Sequence, residues 1–302
     1  MQALQEGGRL VFPTHAVVWE LALLIAFGLG LLHGITPDEH TWPITFSYSI
    51  GSYSSRGGRK AGFRFSLTFI LQRAIASEIA FYAVNALLIG AREGFFIYMF
   101  IGVVMVGSAL YMKRKLSKGN YDSIEKHSRA VTVMPMIHGF IAGWGVGAFA
   151  VILYGVLSPS MPNGYVAWVP GALFGLGTMV TQMVIGGLFG AFIERVRLSE
   201  RSKAIFATKV SSTTLLASGM AFVVVGAIGT VFPAWLSNLG IATTVNIPNL
   251  SKIDVGFFLA VPVVFISAAL AMYFGLKDLK KSGDNRLPFV DPSPARSEGA
   301  IS

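Results

Sequence analysis

The chain has 302 residues, of which 53% are hydrophobic and only 13% charged, with a formal net charge of +9 and no cysteine. So few charged side chains do not coat a water-soluble domain of this size, and the composition points to an all-α polytopic membrane protein. The lack of cysteine excludes disulfides, thiolate metal ligation and thiol redox chemistry.

Residues 1–15 are expected to form an extracytoplasmic N-terminus. The first apolar run, 16–36, begins too late for a cleavable signal peptide and reads as a retained span. It ends in His33-Gly34-Ile35-Thr36-Pro37-Asp38-Glu39-His40. Pro37 disfavours helical geometry at Thr36 and removes a backbone donor, so a helix break is expected there. The same residues also read as a helix start, with Thr36 as N-cap, Pro37 first in the helix and Glu39 completing a capping box. The connection 43–62, rich in Ser, Tyr and Gly and ending near Arg59-Lys60, is expected to be a flexible cytoplasmic loop. Further apolar runs follow at 64–90, 95–112, 131–157, 166–192, 210–236 and 254–276, making seven transmembrane helices. Between them lie a cytoplasmic loop at 113–130 and, from 280 to 302, a proline-dotted tail expected to be a disordered cytoplasmic end. Trp19, Trp42, Trp168 and Trp235 fall near span ends, as interfacial anchors do.

The positive charge follows this topology. The connections 51–64, 113–130, 194–209 and 276–302 hold 20 of the 24 Lys and Arg residues. The alternate connections hold Arg9, Arg92 and Lys252, and Arg73 lies within a span. By the positive-inside rule the chain sits in a plasma (inner) membrane with its N-terminus outside and its C-terminus in the cytoplasm. Charge dealt out by topology in this way is no nucleic-acid footprint.

A repeat runs through the spans. Leu31-Leu32-His33-Gly34 is matched by Met136-Ile137-His138-Gly139, Phe65-Ser66-Leu67-Thr68 by Phe174-Gly175-Leu176-Gly177, and Val103-Val104-Met105-Val106-Gly107 by Val223-Val224-Val225-Gly226. The order is the same in both halves. Three-helix units cross the membrane in opposite senses, so 16–112 and 131–236 read as two inverted three-helix repeats, with 254–276 as an extra seventh helix.

Lipid penalises ionisable groups, which makes the cluster at the end of span 1 a candidate site. Imidazole nitrogen with carboxylate oxygen suits divalent nickel, cobalt or zinc. A broken helix lets His33, before the break, and Asp38 and His40, after it, point to one locus, with Glu39 beside them. His138, the repeat counterpart of His33, is a candidate ligand or gate, and Met134 shares its helix face. Gln72, Arg73 and Glu78 fall inside span 2, and Thr181 and Gln182 in the corresponding region of span 5. Arg73 and Glu78 could partner each other or a substrate. Arg73 also suits a carboxylate. Thr181 and Gln182 offer neutral ligands or interhelical bonds. The glycines of spans 4 and 5, including Gly143, Gly171, Gly175, Gly177, Gly186, Gly187 and Gly190, permit close helix approach.

His33, four intervening residues, Asp38 and then His40 resembles the first motif of the nickel/cobalt transporter superfamily, with Glu39 inserted before the last histidine. Gly62-Phe63-Arg64-Phe65-Ser66-Leu67 is similar to the family's second-helix motif, with Phe69 in place of its histidine. Phe174-Gly175-Leu176-Gly177 is similar to the third, with Met179 at the family's aspartate position, and Gly219-Met220 to the fourth, with Val224 in place of its acid. The resemblance implies a permease for a divalent transition metal within the broader lysine-exporter-like fold group.

The sequence therefore predicts a permease, not an enzyme, that moves nickel, cobalt or zinc by alternating access. The metal is its substrate, and no prosthetic cofactor is implied. Lipid, the metal ion, coupled protons through His33 or His40, and a second copy of the chain are the partners this reading admits. Two rivals stand beside it: a transporter of an amino acid or other small organic solute, with Arg73 and the His/Asp cluster holding charged ends, and an intramembrane metalloenzyme.

Overall fold

The computed structural model describes residues 4–6, 9–11, 18–36, 41–87, 91–117, 129–145, 148–196, 199–237, 241–242, 252–253 and 255–281. Ten α-helices carry the described fold: α1 (Trp19–Ile35), α2 (Trp42–Gly51), α3 (Ser55–Leu87), α4 (Ala91–Ser117), α5 (Arg129–Ala142), α6 (Ala148–Ile152), α7 (Val169–Glu194), α8 (Glu200–Val231), α9 (Pro233–Ser237) and α10 (Val255–Lys281). Two short antiparallel strand pairs, Leu4–Glu6 with Arg9–Val11 and Ile241–Ala242 with Lys252–Ile253, complete it.

Among the described residues three stretches are long and apolar enough to cross a membrane: Phe95–Arg114, Gly164–Glu194 and Ser202–Val231. Trp19–Ile35, Thr132–Ala142 and Pro262–Lys277 are shorter apolar helices. The distribution of side chains is inverted relative to a soluble protein. Leu24, Val184, Leu188, Val224, Ile266 and Leu270 face outward, while Gln72, Arg73, Ser77, His138 and Gln182 are buried. Such a surface is compatible with lipid as its solvent, which takes apolar groups and leaves polar ones to find partners inside.

Helix α3 packs along α7, and α4 along α8. Helix α1 lies against α7, α5 against α3, and α10 against α8. Lipid tails are as apolar as leucine, so these contacts depend on close fit, and small residues provide it. The glycines expected to allow close approach do so. Gly171 abuts the Arg73 backbone, Gly186 abuts Gly58, and Gly190 abuts the backbone of Ser54. Gly30 and Gly34 of α1 likewise rest on Phe174 and Thr181 of α7.

Two expectations are corrected. The connection 43–62 is not a flexible loop: residues 42–51 form α2, about 15 Å long, and 55–62 are the first turns of α3. Every α2 residue from Pro43 to Gly51 is buried. Its Ser, Thr and Tyr content signals a loop in isolation, but here the hydroxyls face other helices instead of water. The run 131–157 is not one continuous helix either. It is α5, a turn at 143–145, the short α6 and a π-helical turn over Leu153–Leu157. Gly143 and Gly145 lie where the helix gives way. Trp42 packs against Phe189 and Phe265, and Trp19, Trp168 and Trp235 are exposed.

Candidate functional site

Two interruptions in the helices define the site. The first follows α1, whose last turn is closed by Thr36. The Thr36 N–H donates to the Leu32 carbonyl at 2.9 Å, and its hydroxyl donates to the same oxygen at 2.8 Å. Thr36 is therefore a C-cap, not the N-cap of a capping box. Helix α2 starts only after Thr41, with Pro43 in its first turn. Asp38, Glu39 and His40 lie outside the described residues. The two flanks of this break are tied to one side chain. The Gln182 amide nitrogen donates to the Gly34 carbonyl at 3.0 Å, and the Thr45 hydroxyl donates to its amide oxygen. Gln182 is fully buried and stands midway along α7, so the break is held near the centre of that helix.

The second interruption, between α5 and the π-helical turn, is tied in the same manner by Arg73 of α3. One guanidinium nitrogen donates to the Tyr154 hydroxyl at 2.6 Å and the other terminal one to the Gly145 carbonyl at 3.2 Å. Tyr154 belongs to the π-helical turn, a geometry frequent at functional positions. The guanidinium carbon lies 4.8 Å from the Phe69 ring centre, 5.4 Å from Phe174 and 5.6 Å from Tyr154, within cation–π range. Arg73 is only 3% exposed, and its partners are a phenol, a carbonyl and three rings in place of a carboxylate. Among the described residues its Nε has no hydrogen-bond partner, and neither amide atom of the neighbouring, fully buried Gln72 has one. Gln72 fits against Gly143 at the second break.

The expected Arg73–Glu78 pairing is not made: both terminal guanidinium nitrogens go elsewhere, and Glu78 Oε2 is buried without a partner among the described residues. Five positions apart on a helix, the two side chains diverge by about 140°.

His33 is buried with its ring stacked on Phe69 at 5.6 Å, tilted against Phe174 at 5.2 Å and edge-on to Phe149 at 5.8 Å. It thus shares Phe69 and Phe174 with Arg73. His138 sits in other surroundings. Its Nδ1 lies 2.9 Å from the Met134 carbonyl and 3.2 Å from the Tyr48 hydroxyl. A carbonyl only accepts, so Nδ1 carries the proton, and Nε2 is left buried without a partner among the described residues. Met134 meets His138 through its carbonyl, not its sulfur. Among the described residues no group of three His, Cys, Asp or Glu side chains is placed to hold a metal. Thr181 is an interhelical packing residue: its hydroxyl donates to Thr178 and Gly177 within α7, and its side chain seats Gly34. Beside the Gln182 bond to Gly34, Thr178 makes a cross-helix bond to α1, its hydroxyl donating to the Gly30 carbonyl at 3.1 Å.

Sequence reasoning missed Thr45, Tyr154 and Thr178. Thr45 lay in the presumed loop, and single hydroxyls within apolar runs carry no signal of their partner. Compared with known protein families, curated proteins and solved structures, the chain matches none of them.

Proposed function

We propose that this chain is a multi-spanning permease that carries a small organic solute bearing an anionic group, such as an amino acid or another carboxylate, past Arg73. The observation that carries this reading is a desolvated guanidinium tied to a helix break by neutral partners, with its Nε and the adjacent Gln72 amide unengaged. Arginine presents a planar fork that matches a carboxylate, and burial strengthens that attraction. The same charge, sharing two aromatic rings with His33, repels a bare divalent cation.

The architecture we infer has seven spans, an outside N-terminus and a cytoplasmic C-terminus, built as two inverted three-helix repeats plus a seventh helix. The spacing that relates Phe65 to Phe174 also relates Arg73 to Gln182 and Thr45 to Tyr154. Each break is thus tied by corresponding residues, Gln182 with Thr45 at the first and Arg73 with Tyr154 at the second. The contacts of α1 with α7 and of α5 with α3 are likewise reciprocal. Broken helices at a repeat interface are where such transporters place substrate, and rocking of one repeat against the other gives alternating access.

A second reading keeps the resemblance to the nickel/cobalt transporters, with a divalent metal as substrate of His33, Asp38, Glu39, His40 and His138. One observation favours it: His138 is oriented by a carbonyl at Nδ1 with Nε2 unengaged, the arrangement of a metal-binding imidazole.

Uptake into proteoliposomes separates the two. Labelled amino acids and small carboxylic acids, and separately nickel, cobalt and zinc, are offered to wild type, Arg73→Met and His40→Ala. Saturable carboxylate flux lost in Arg73→Met and kept in His40→Ala supports the first reading. Metal flux abolished by His40→Ala overturns it in favour of the second.

A further inference from the structure

We infer that the contact between α2 and α8 is a seam that parts and fills with water, forming one half of the path to the first helix break. Gly51 of α2 rests on Ser211 of α8, with a β-carbon at that position falling 3.0 Å from the Ser211 hydroxyl. Phe46 and Ile50 join Phe206, Ala207 and Val210 in one apolar cluster, while Ile44 and Tyr48 join Leu215 in the other. Tyr48 and Gly51 of α2 lie by Ser108 and Met112 of α4, and α4 in turn meets α8 with Met112 at Ser211, Gly102 at Gly219 and Met99 at Gly226, so α2 runs antiparallel to α8. Ser47 lies one turn before Gly51 on the same face of α2, and Thr214 and Ser218 follow Ser211 along one face of α8. This register sets Ser47 toward Thr214, and Ser218 beside the N-terminal end of α2, next to the break.

The hydroxyls of Ser47, Thr214 and Ser218 are fully buried and have no hydrogen-bond partner among the described residues. Among the described residues Ser49, which faces Gly186 of α7, and Ser66 of α3 are also buried without a partner, whereas other serines are satisfied. Ser108 donates to Val104 and Ser158 to Leu153 within their own helices, and Ser77 donates to the Ala167 carbonyl. Three unsatisfied hydroxyls along one contact are costly to keep dry, and water is the ligand that satisfies them. Opening of this seam gives water and solute a way to the break. This rests on the permease reading for its purpose, though not for its test.

The natural lack of cysteine makes the test direct. Single variants Ser47→Cys, Thr214→Cys and Ser218→Cys, with Ala80→Cys and Met105→Cys as equally buried controls, are reconstituted and exposed to a membrane-impermeant methanethiosulfonate. Only variants that elute as monodisperse protein are compared. The seam positions are expected to react about tenfold faster than the controls, because local opening exposes them without global unfolding. A Ser47→Cys/Thr214→Cys pair is expected to cross-link on mild oxidation. Labelling of all three seam positions at the control rate overturns the inference, as does failure of the pair to cross-link. Neither readout uses substrate, so absence of flux alongside fast labelling counts against the permease reading and leaves the seam standing.

Discussion

Replacing Gln182 by leucine tests whether the first helix break is held by a real clamp. The substitution nearly conserves volume, but it leaves the Gly34 carbonyl without its donor and the Thr45 hydroxyl without its acceptor. In a water-soluble protein each buried orphan costs about 1–3 kcal/mol. In a bilayer an interhelical bond is worth less, about 0.6 kcal/mol on average and up to about 1.7, because the unfolded chain in the membrane also finds partners. Gln182 is fully buried and makes both bonds at once, and leucine regains only part of the loss through apolar contact. Net destabilisation of Gln182→Leu is therefore expected at about 1.5–3 kcal/mol. The assay is equilibrium unfolding in mixed micelles, run as a double-mutant cycle with Thr45→Val. Coupling of about 0.6–1.7 kcal/mol is expected between the two positions. A Gln182→Leu protein within about 0.5 kcal/mol of wild type, or additive single variants, would refute the clamp.

Gly34→Ala and Gly139→Ala each place a β-carbon against a helix already in contact, at Thr181 and at the Phe65 carbonyl, and are expected to lower stability by about 1–3 kcal/mol. Gly28→Ala, which meets nothing within 4 Å, is expected to be neutral or slightly stabilising in the same unfolding experiment. Gln72→Leu removes a buried amide that has no partner, so it is expected to raise stability by about 1 kcal/mol or more while lowering transport. A stable, fully active Gln72→Leu protein would show that this amide plays no part in the site. Arg73→Lys keeps the charge but loses the planar fork, and reduced flux with little change in fold, read by uptake and circular dichroism, is expected.

Composition and charge placement were enough to read a helical chain with apolar helices compatible with a membrane. The glycines of spans 4 and 5 were legible as contact points, because small residues serve helix approach whatever their partner. Ionisable residues inside apolar runs stood out for a physical reason as well: lipid makes Arg73, His33 and His138 costly, so their presence demands an explanation. Tertiary structure alone decided their partners. Arg73 turns from Glu78 to Tyr154 and Gly145, and Gln182 joins Gly34 to Thr45, because interhelical register brings together residues far apart in the chain. Helix α2 was hidden for the same reason. Its serines, threonine and tyrosine look like a solvated loop until the surrounding helices exclude water and leave a helix as the way to satisfy the backbone. Local sequence reports what a segment costs to bury, and only packing reports what it is buried against.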